Sequence, residues 1–376
     1  MNICFFVEGY PTPEDPYMPF VKNTIAEISR QGDNCFVIAP QSVTRAIQHR
    51  IPLRPNMWVD YVENTQVKVY QPFYLSFSGK MDAINRRNFI TAASKAYRKL
   101  NPNIINVLYG HFWHMGIVAS KIDKTKPLFI ACGESKISVC DAYTRKCIDQ
   151  MKAQLAGVVY VSTKSYKESV RLKLQDSNIP YTILPNGFDP KIFYCKNKSK
   201  AREKIGWPQE SRVVIFVGSF TERKGVLRLS KALSEINKIE KVYSCFIGSG
   251  SLKPTCPNIL FCGKVDNKSI SDYLNASDVF VLPTTNEGCC NAIIEAMACG
   301  LPIISSDQGF NDDILNENNS IRIDSMNVRQ IEDAIHTIIT ENKLREEKGK
   351  AAQILSETLT ISERIQKLRR FMRDYA

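Results

Sequence analysis

Short apolar runs alternate with longer stretches of helical periodicity along most of this chain. The first run, residues 3–7, breaks at Glu8-Gly9-Tyr10-Pro11 and is followed by Phe20, Val21, Thr24, Ile25 and Ile28 at helical spacing. That order reads as strand, loop and helix. Gln31-Gly32-Asp33 ends the helix, and residues 35–39 form a second buried strand stopped by Pro40. Further strands are expected at 104–108, 128–131, 157–161 and 181–184, each separated by helical stretches, the signature of βαβ units in a parallel sheet. From Asn186-Gly187 to Ser211 strong apolar runs are few and Lys, Asn, Ser and Pro are frequent, the composition of an interdomain linker. The alternation then resumes with strands at 213–217, 242–247, 259–261, 279–282 and 301–305 and a helix over 227–236.

The pattern predicts an α/β protein of two doubly wound parallel-sheet domains, residues 1–190 and 191–355, followed by a C-terminal helix over 356–376. In that helix Ile361, Ile365, Leu368, Phe371 and Met372 make an apolar stripe among Arg364, Lys367, Arg369, Arg370 and Arg373. Packing back towards the N-terminal domain is the expectation, with a membrane-facing element as the alternative. Doubly wound sheets bind ligands at the carboxyl ends of their strands, so two such domains facing one another frame a cleft where chemistry is expected.

A length of 376 residues suits two domains, and 44% hydrophobic with 23% charged residues excludes a fibre or an unfolded regulator. Fifty Lys and Arg against 38 Asp and Glu leave a net charge of +12. To residue 190 there are 23 basic and 15 acidic side chains, a net of +8, and the remaining 27 against 23 give +4. Within the first half, residues 80–99 carry Lys80, Arg86, Arg87, Lys95, Arg98 and Lys99 against Asp82 alone, with Met81, Ile84, Phe89, Ile90 and Ala93 as apolar partners. This basic amphipathic helix reads equally as a solvated face or as a surface that docks on an anionic membrane. Nucleic acid is disfavoured as a partner, because no recognition motif accompanies the charge.

Twelve scattered cysteines without a Cys-x-x-Cys pair suit a reduced set, and four separated histidines offer no structural zinc site, so no metal is expected. The start of the chain has no basic region and too short an apolar core for a signal peptide, and no run approaches the ~18 apolar residues of a membrane span. The expected location is cytoplasmic, with the inner face of the cytoplasmic membrane as a docking place.

Two segments carry candidate chemistry. Asn286-Glu287-Gly288-Cys289-Cys290-Asn291 follows a strand and opens a helix that continues through Glu295 to Gly300-Leu301-Pro302. Gly288 permits close approach, and the amides of Cys289, Cys290 and Asn291 at the helix start suit a phosphate. Glu287 and Glu295 are better suited to accept hydrogen bonds from sugar or ribose hydroxyls than to face a phosphate. The second segment, Gly218-Ser219-Phe220-Thr221-Glu222-Arg223-Lys224-Gly225, also runs from strand to loop. Arg223 and Lys224 are placed there to neutralise a diphosphate.

With these pieces, with Pro185-Asn186-Gly187-Phe188-Asp189 at the domain junction and with Phe261-Cys262-Gly263-Lys264-Val265, the chain resembles the retaining glycosyltransferases of family 4. The likeness extends over nearly its whole length. It implies the GT-B fold of two Rossmann-like domains, with the donor held mainly by the second domain and the acceptor by the first. The donor would be a UDP- or GDP-linked nucleotide sugar, a co-substrate with no separate cofactor. The acceptor would be a glycan or a polyprenyl-diphosphate-linked carrier in bacterial surface polysaccharide synthesis: capsule, O-antigen or exopolysaccharide.

By the same resemblance Glu295 binds ribose, and Glu287 with the amides of Gly288 to Asn291 holds the donor sugar and adjoining phosphate. Arg223 and Lys224 grip the diphosphate, and the loop at Gly263 and Val265 faces the base. His111, in Tyr109-Gly110-His111-Phe112-Trp113-His114, stands beside the donor sugar, with a core or helix-cap role as the plainer reading. His114 is assigned to packing. The chain departs from the family in three places. The first loop has Gly9 alone instead of two adjacent glycines, Ser219 replaces an arginine, and Glu134 stands where a His-Gly pair is usual, as an acceptor contact or a loop residue. The absence of an Asp-x-Asp motif fits metal-independent transfer with retention. Two rivals share the architecture: a nucleotide-sugar 2-epimerase, which would not be expected to carry this Glu-x7-Glu element, and a non-catalytic sugar-nucleotide binding protein.

Overall fold

The computed structural model describes residues 1–12, 18–62, 65–77 and 81–376. By its internal contacts the chain forms two units. One contains Met1–Val161, Ser165–Leu184 and Ile365–Ala376, and the other contains Ser162–Lys164 and Pro185–Arg364.

The strands of the first unit are β1 (Asn2–Phe6), β2 (Asn34–Ile38), β3 (Gln41–Ser42), β4 (Met57–Val62), β5 (Thr65–Tyr70), β6 (Phe73–Tyr74), β7 (Val107–His111), β8 (Leu128–Cys132), β9 (Leu155–Tyr160) and β10 (Tyr181–Ile183). Eight of them form one sheet in the order β10-β9-β8-β7-β1-β2-β5-β4, while β3 and β6 pair separately. β1 lies between β2 and β7, parallel to both. The winding therefore reverses at the β1/β7 boundary, the place where such sheets open a crevice at their carboxyl ends. Phe5, Tyr109, Phe129 and Tyr160 are fully buried on this sheet.

The second unit holds β11 (Val213–Val217), β12 (Tyr243–Ile247), β13 (Ile259–Gly263), β14 (Val279–Leu282), β15 (Ile303–Ser306) and β16 (Ser320–Ile323), all parallel, in the order β13-β12-β11-β14-β15-β16. Its reversal falls at β11/β14. Val213, Ile215, Phe216, Val279, Phe280 and Val281 bury both faces of that central pair, which is why these strands read as unbroken apolar runs.

Three features depart from the sequence pattern. β4 pairs antiparallel with β5 at the sheet edge, and neither strand stands out as an apolar run because polar and exposed residues are interspersed along both. The strand expected at 104–108 begins at Val107, because Pro102–Ile104 forms a 3-10 turn in which Asn101 Oδ1 accepts from the Asn103 amide at 3.3 Å. The expected linker is folded. It contains a helix at Lys198–Ile205, capped where Asn197 Oδ1 accepts from the Lys200 amide at 3.0 Å. That helix is anchored by charge: Arg202, only 4% exposed, donates to Asp278 Oδ2 at 2.8 Å, to Ser211 O at 3.0 Å and to Ala276 O at 2.9 Å. A guanidinium with several oxygen partners tolerates burial, and apolar patterning is blind to it.

The last helix, Ile361–Tyr375, delivers its stripe to the first unit from Ile365 onwards. Ile365, Leu368 and Met372 are fully buried, and Phe371 meets Phe129 edge-on at 5.8 Å between ring centroids. Arg369 Nε donates to Asp33 Oδ2 at 2.5 Å. Although burial opposes ionisation of Asp33, Arg369 and the α-amino group of Met1 hold its carboxyl below the ordinary value. Among the described residues no helix is long and apolar enough to cross a membrane.

Leu368→Ala should cost about 2–5 kcal/mol, the range for emptying a filled leucine site. Urea unfolding followed by fluorescence checks this, and a loss below about 0.5 kcal/mol would show that the helix is not part of the folded unit.

Candidate functional site

In the second unit the loop after β11 turns sharply before the helix Val226–Ile236, and the turn depends on Gly225. Gly225 has φ +76°, and a Cβ there would lie 2.3 Å from Pro283 O. At the end of β12, Gly248 has φ +147°, and a Cβ would stand 1.9 Å from Gly218 O. These close approaches knit the carboxyl ends of the strands together: the Gly218 amide donates to Ile247 O at 2.9 Å and the Gly248 amide to Gly263 O at 2.8 Å. Val265 follows, half-buried against the core.

The turn projects Arg223 and Lys224 onto the loop after β14. Glu287 Oε1 accepts from Arg223 Nη1, from Lys224 Nζ and from Thr284 Oγ1, each at 2.7 Å. Arg223 Nη1 also reaches Asn286 O at 2.6 Å, and the Thr285 amide donates to Arg223 O at 2.8 Å. Burial opposes the charge on Glu287, but Lys224, Thr284 and Arg223 outweigh it and hold the carboxyl below its ordinary value. Burial likewise opposes the Lys224 ammonium, while the Glu287 carboxylate in contact with it lifts its pKa. The cluster is thus two cations to one carboxylate at neutral pH. Oε2 of Glu287 takes part in none of these bonds.

The segment beyond differs from the sequence expectation by one helical position or more. The helix is Asn291–Ala298 with Cys290 as its N-cap, and Gly288 and Cys289 form the bend before it. Glu287 therefore lies in a loop outside the helix. The first-turn amides, which have no intrahelical acceptor, are those from Asn291 onwards. Cys290 Sγ stands 4.0 Å from Lys224 Nζ. Burial raises the pKa of both adjacent thiols, that of Cys289 to about 12, so neither is a thiolate at neutral pH. The carboxyl of Glu295, four residues into the helix, makes no hydrogen bond or ion pair among the described residues, while its backbone carbonyl accepts from the Cys299 amide at 3.2 Å. Burial pushes its carboxyl up to about 7.

Three residues that the sequence reading did not assign hold this arrangement. Asn186 Nδ2 donates to Asn291 Oδ1 at 2.8 Å and to Cys289 O at 3.1 Å. Lys164 Nζ donates to Asn286 Oδ1, and to Glu287 O at 3.3 Å. Thr284 supplies the hydroxyl on Glu287. Asn186 carried a signal, the Pro-Asn-Gly turn, but Lys164 had none, since its partners lie over 120 positions away in sequence.

In the first unit, Gly9 and Glu134 follow β1 and β8, and His111 ends β7, all at the carboxyl edge. The His111 ring lies 5.5 Å from that of Phe20 and 4.3 Å from that of Phe112. Phe112 has φ +78° where strand turns into the helix Trp113–Ile122. Glu134 Oε1 accepts from the Trp113 amide at 2.9 Å and so caps that helix from a neighbouring loop. Glu134 Oε2 is buried without a hydrogen-bond partner, and desolvation pushes the carboxyl up to about 7 against the pull of the Trp113 amide. His114 is half-buried, with Nε2 3.1 Å from Ser138 Oγ. Among the described residues no group of three or more His, Cys, Asp or Glu is placed to hold a metal ion.

The family model described as glycosyl transferases group 1 matches residues 197–354. The chain is 26% identical over 357 residues to the putative teichuronic acid biosynthesis glycosyltransferase TuaC of Bacillus subtilis, covering 89% of this chain and 88% of that one. In fold it is similar to sucrose-phosphate synthase from Thermosynechococcus elongatus, with a TM-score of 0.79 at 17% identity over 99% and 98% of the two chains. It is also similar to Anabaena HepE, solved in complex with UDP-glucose, with a TM-score of 0.72 at 16% identity over the full length of both.

The two raised carboxyls make stability depend on pH. Glu134 and Glu295 stay protonated in the folded chain up to about pH 7, whereas the unfolded chain releases the proton near pH ~4.3. The unfolded state then binds fewer protons, so stability is fully present below the unfolded pKa and falls as pH rises to about 7. Each group contributes a fall of about 3 kcal/mol. The double variant Glu134→Gln, Glu295→Gln should flatten the decline in urea midpoint between pH 5 and pH 8, and an unchanged decline would contradict the assignment.

Proposed function

We propose, starting from the match of residues 197–354 to the group 1 glycosyl transferase model and from the likeness to TuaC, that this chain is a group 1 glycosyltransferase that transfers a sugar with retention from a nucleoside-diphosphate sugar to a glycan or lipid-linked acceptor in bacterial surface polysaccharide synthesis. The observation that carries this reading is the convergence of Arg223 and Lys224 on one oxygen of Glu287, at the β11/β14 reversal of the sheet. Negative charge develops on a departing diphosphate, and two fixed cations beside helix amides stabilise it more in the transition state than in the ground state.

The bond from the sugar C1 to the diphosphate oxygen breaks, and the acceptor oxygen bonds to C1 on the same face. The acceptor proton passes to the leaving phosphate oxygen, so the step balances without a separate base. Glu287 orients both cations through Oε1 and offers Oε2 to a sugar hydroxyl, while the Glu295 carboxyl, free of internal partners, suits a ribose diol. TuaC, by its name a teichuronic acid glycosyltransferase, and HepE, solved with UDP-glucose, support this class of acceptor and donor.

A panel of UDP- and GDP-sugars tested by thermal shift should contain at least one that raises the melting temperature. With that donor and an acceptor extract, the chain should release nucleoside diphosphate. An epimer formed from donor alone would point to the 2-epimerase instead, and donor bound but never consumed would point to a binding protein. Lys224→Ala should lower turnover by about 10²–10³-fold, the cost of losing one charge-stabilising donor. Near-normal turnover would remove Lys224 from the mechanism.

The first unit also presents a surface suited to an anionic bilayer. The helix Asp82–Lys99 exposes Ile84 and Arg87, and Met81 just before it is exposed. Asn85 binds Phe77 through both its amide nitrogen and its oxygen, each at 2.8 Å, so exposed Phe77 joins the same patch. Arg86 is drawn aside, its guanidinium 5.3 Å from the centroid of the Tyr143 ring, and Lys80 lies outside the described residues. Apolar groups beside the exposed Arg87 match an interfacial surface. The protein should co-sediment with vesicles containing phosphatidylglycerol, and Arg87→Ala with Ile84→Ser should reduce the bound fraction several-fold. Failure of the intact protein to bind would end this part of the proposal.

A further inference from the structure

Arg228 is a buried cation of the second unit whose bonds go to loops and not to Glu287. It stands in the first turn of the helix Val226–Ile236 and is 8% exposed. Two general preferences oppose a cation at that place. A helix start carries positive partial charge and favours acidic side chains, and a buried charge is costly without partners. Folded proteins break such local rules mainly at functional or strained sites.

The bonds of Arg228 reach the carboxyl ends of three strands. Nη2 donates to Glu222 O at 3.0 Å in the loop after β11 and to Pro283 O at 3.1 Å in the loop after β14. Nε donates to Ser325 O at 2.7 Å in the loop after β16. Nη1 donates to the Glu222 carboxylate, an exposed side chain that supplies the counter-charge. The first two carbonyls adjoin the cation cluster. Glu222 directly precedes Arg223-Lys224, and Pro283 directly precedes Thr284, whose hydroxyl bonds to Glu287 Oε1. Thr284 is held by its carbonyl as well, since Ser306 Oγ donates to it. The Gly225 amide shares the Glu222 carbonyl with Arg228 at 3.0 Å, and a Cβ at position 225 would come within 2.9 Å of Arg228 Nη2. The absence of a side chain at 225 is thus what lets the guanidinium reach both loops.

We propose that Arg228 is a positioning residue for diphosphate binding: its guanidinium holds the loops after β11 and β14 at the separation at which Arg223 and Lys224 meet Glu287. The inference deepens the glycosyltransferase reading and rests on it. A guanidinium is planar and projects its donors in fixed directions, so one side chain sets the relative positions of several carbonyls, which an ammonium on a flexible stem does not. Stabilisation of phosphate charge depends steeply on where the two cations stand, whereas contacts to a nucleoside do not use them.

The test compares each nucleoside diphosphate with its own nucleoside, UDP with uridine and GDP with guanosine. Binding to the whole chain is followed by calorimetry, with the nucleosides read by competition against the diphosphate. In the wild type the diphosphate that binds should do so more tightly than its nucleoside. Arg228→Met and Arg228→Lys should each lower that ratio about tenfold, with nucleoside affinity at the wild-type level and an unchanged circular dichroism spectrum certifying the fold. A merely structural role would lower the melting temperature and leave the ratio where it was, which would overturn the proposal. A wild-type ratio in Arg228→Lys would overturn it too, because charge and not geometry would then be what the site requires. Should Arg228→Met not fold, Arg228→Lys alone decides. If neither diphosphate binds the wild type, or neither binds more tightly than its nucleoside, the donor reading falls and this inference with it. If the wild type prefers the diphosphate and the variants keep that preference, only the assignment of Arg228 falls.

Discussion

The Glu287 carboxylate gathers a guanidinium, an ammonium and a hydroxyl on a single oxygen, and the second unit's site is arranged around that meeting. A carboxylate buried to this degree is costly unless it is paired and hydrogen-bonded, so Arg223, Lys224 and Thr284 are required partners. Their positions in turn fix two loops. The Arg223 bonds to Asn286 O and from the Thr285 amide tie the loop after β11 to the loop after β14. Removing Glu287 leaves two cations side by side, and removing Arg223, Lys224 or Thr284 takes a partner from a buried carboxylate.

The backbone meets this demand through glycine. Gly225 must approach Pro283 O and Gly248 must approach Gly218 O more closely than any side chain allows, and only these approaches let the strand ends lie near enough for the cations to converge. The reversal of strand order at β11/β14 then opens the crevice above them. The first unit repeats this scheme at β1/β7 with different chemistry. There the edge carries His111 between aromatic rings and Glu134 capping a helix, with its second oxygen buried and unpaired. One edge sets two cations on a single carboxylate, and the other holds a carboxyl that burial pushes up to about 7.

Long-range polar contacts mark the limit of pattern reading. The apolar strands β11 and β14 begin and end at the expected residues, because burial on both faces leaves an unbroken apolar run. β4 and β5 escaped notice because a half-exposed antiparallel edge mixes polar and apolar positions. The segment around Arg202 looked like a linker because its anchor is a buried ion pair with Asp278, and a charged residue in sequence carries no mark of its burial. Lys164 was invisible for the same reason.

The sequence by itself determined the α/β alternation, the two repeats of it, the glycines at the strand ends and the pairing of Arg223-Lys224 with Glu287-Gly288 as the chemical segments. Each of these is local, set by periodicity or by a residue type that a turn requires. Tertiary structure alone decided that Glu287 stands before the helix and accepts both cations, that Asn186 and Lys164 brace the same loop, and that Glu134 caps a helix. It also decided that Arg228 ties the loops after β11, β14 and β16 together. Those outcomes depend on distances between segments far apart in the chain, and only the packing of the sheets sets such distances.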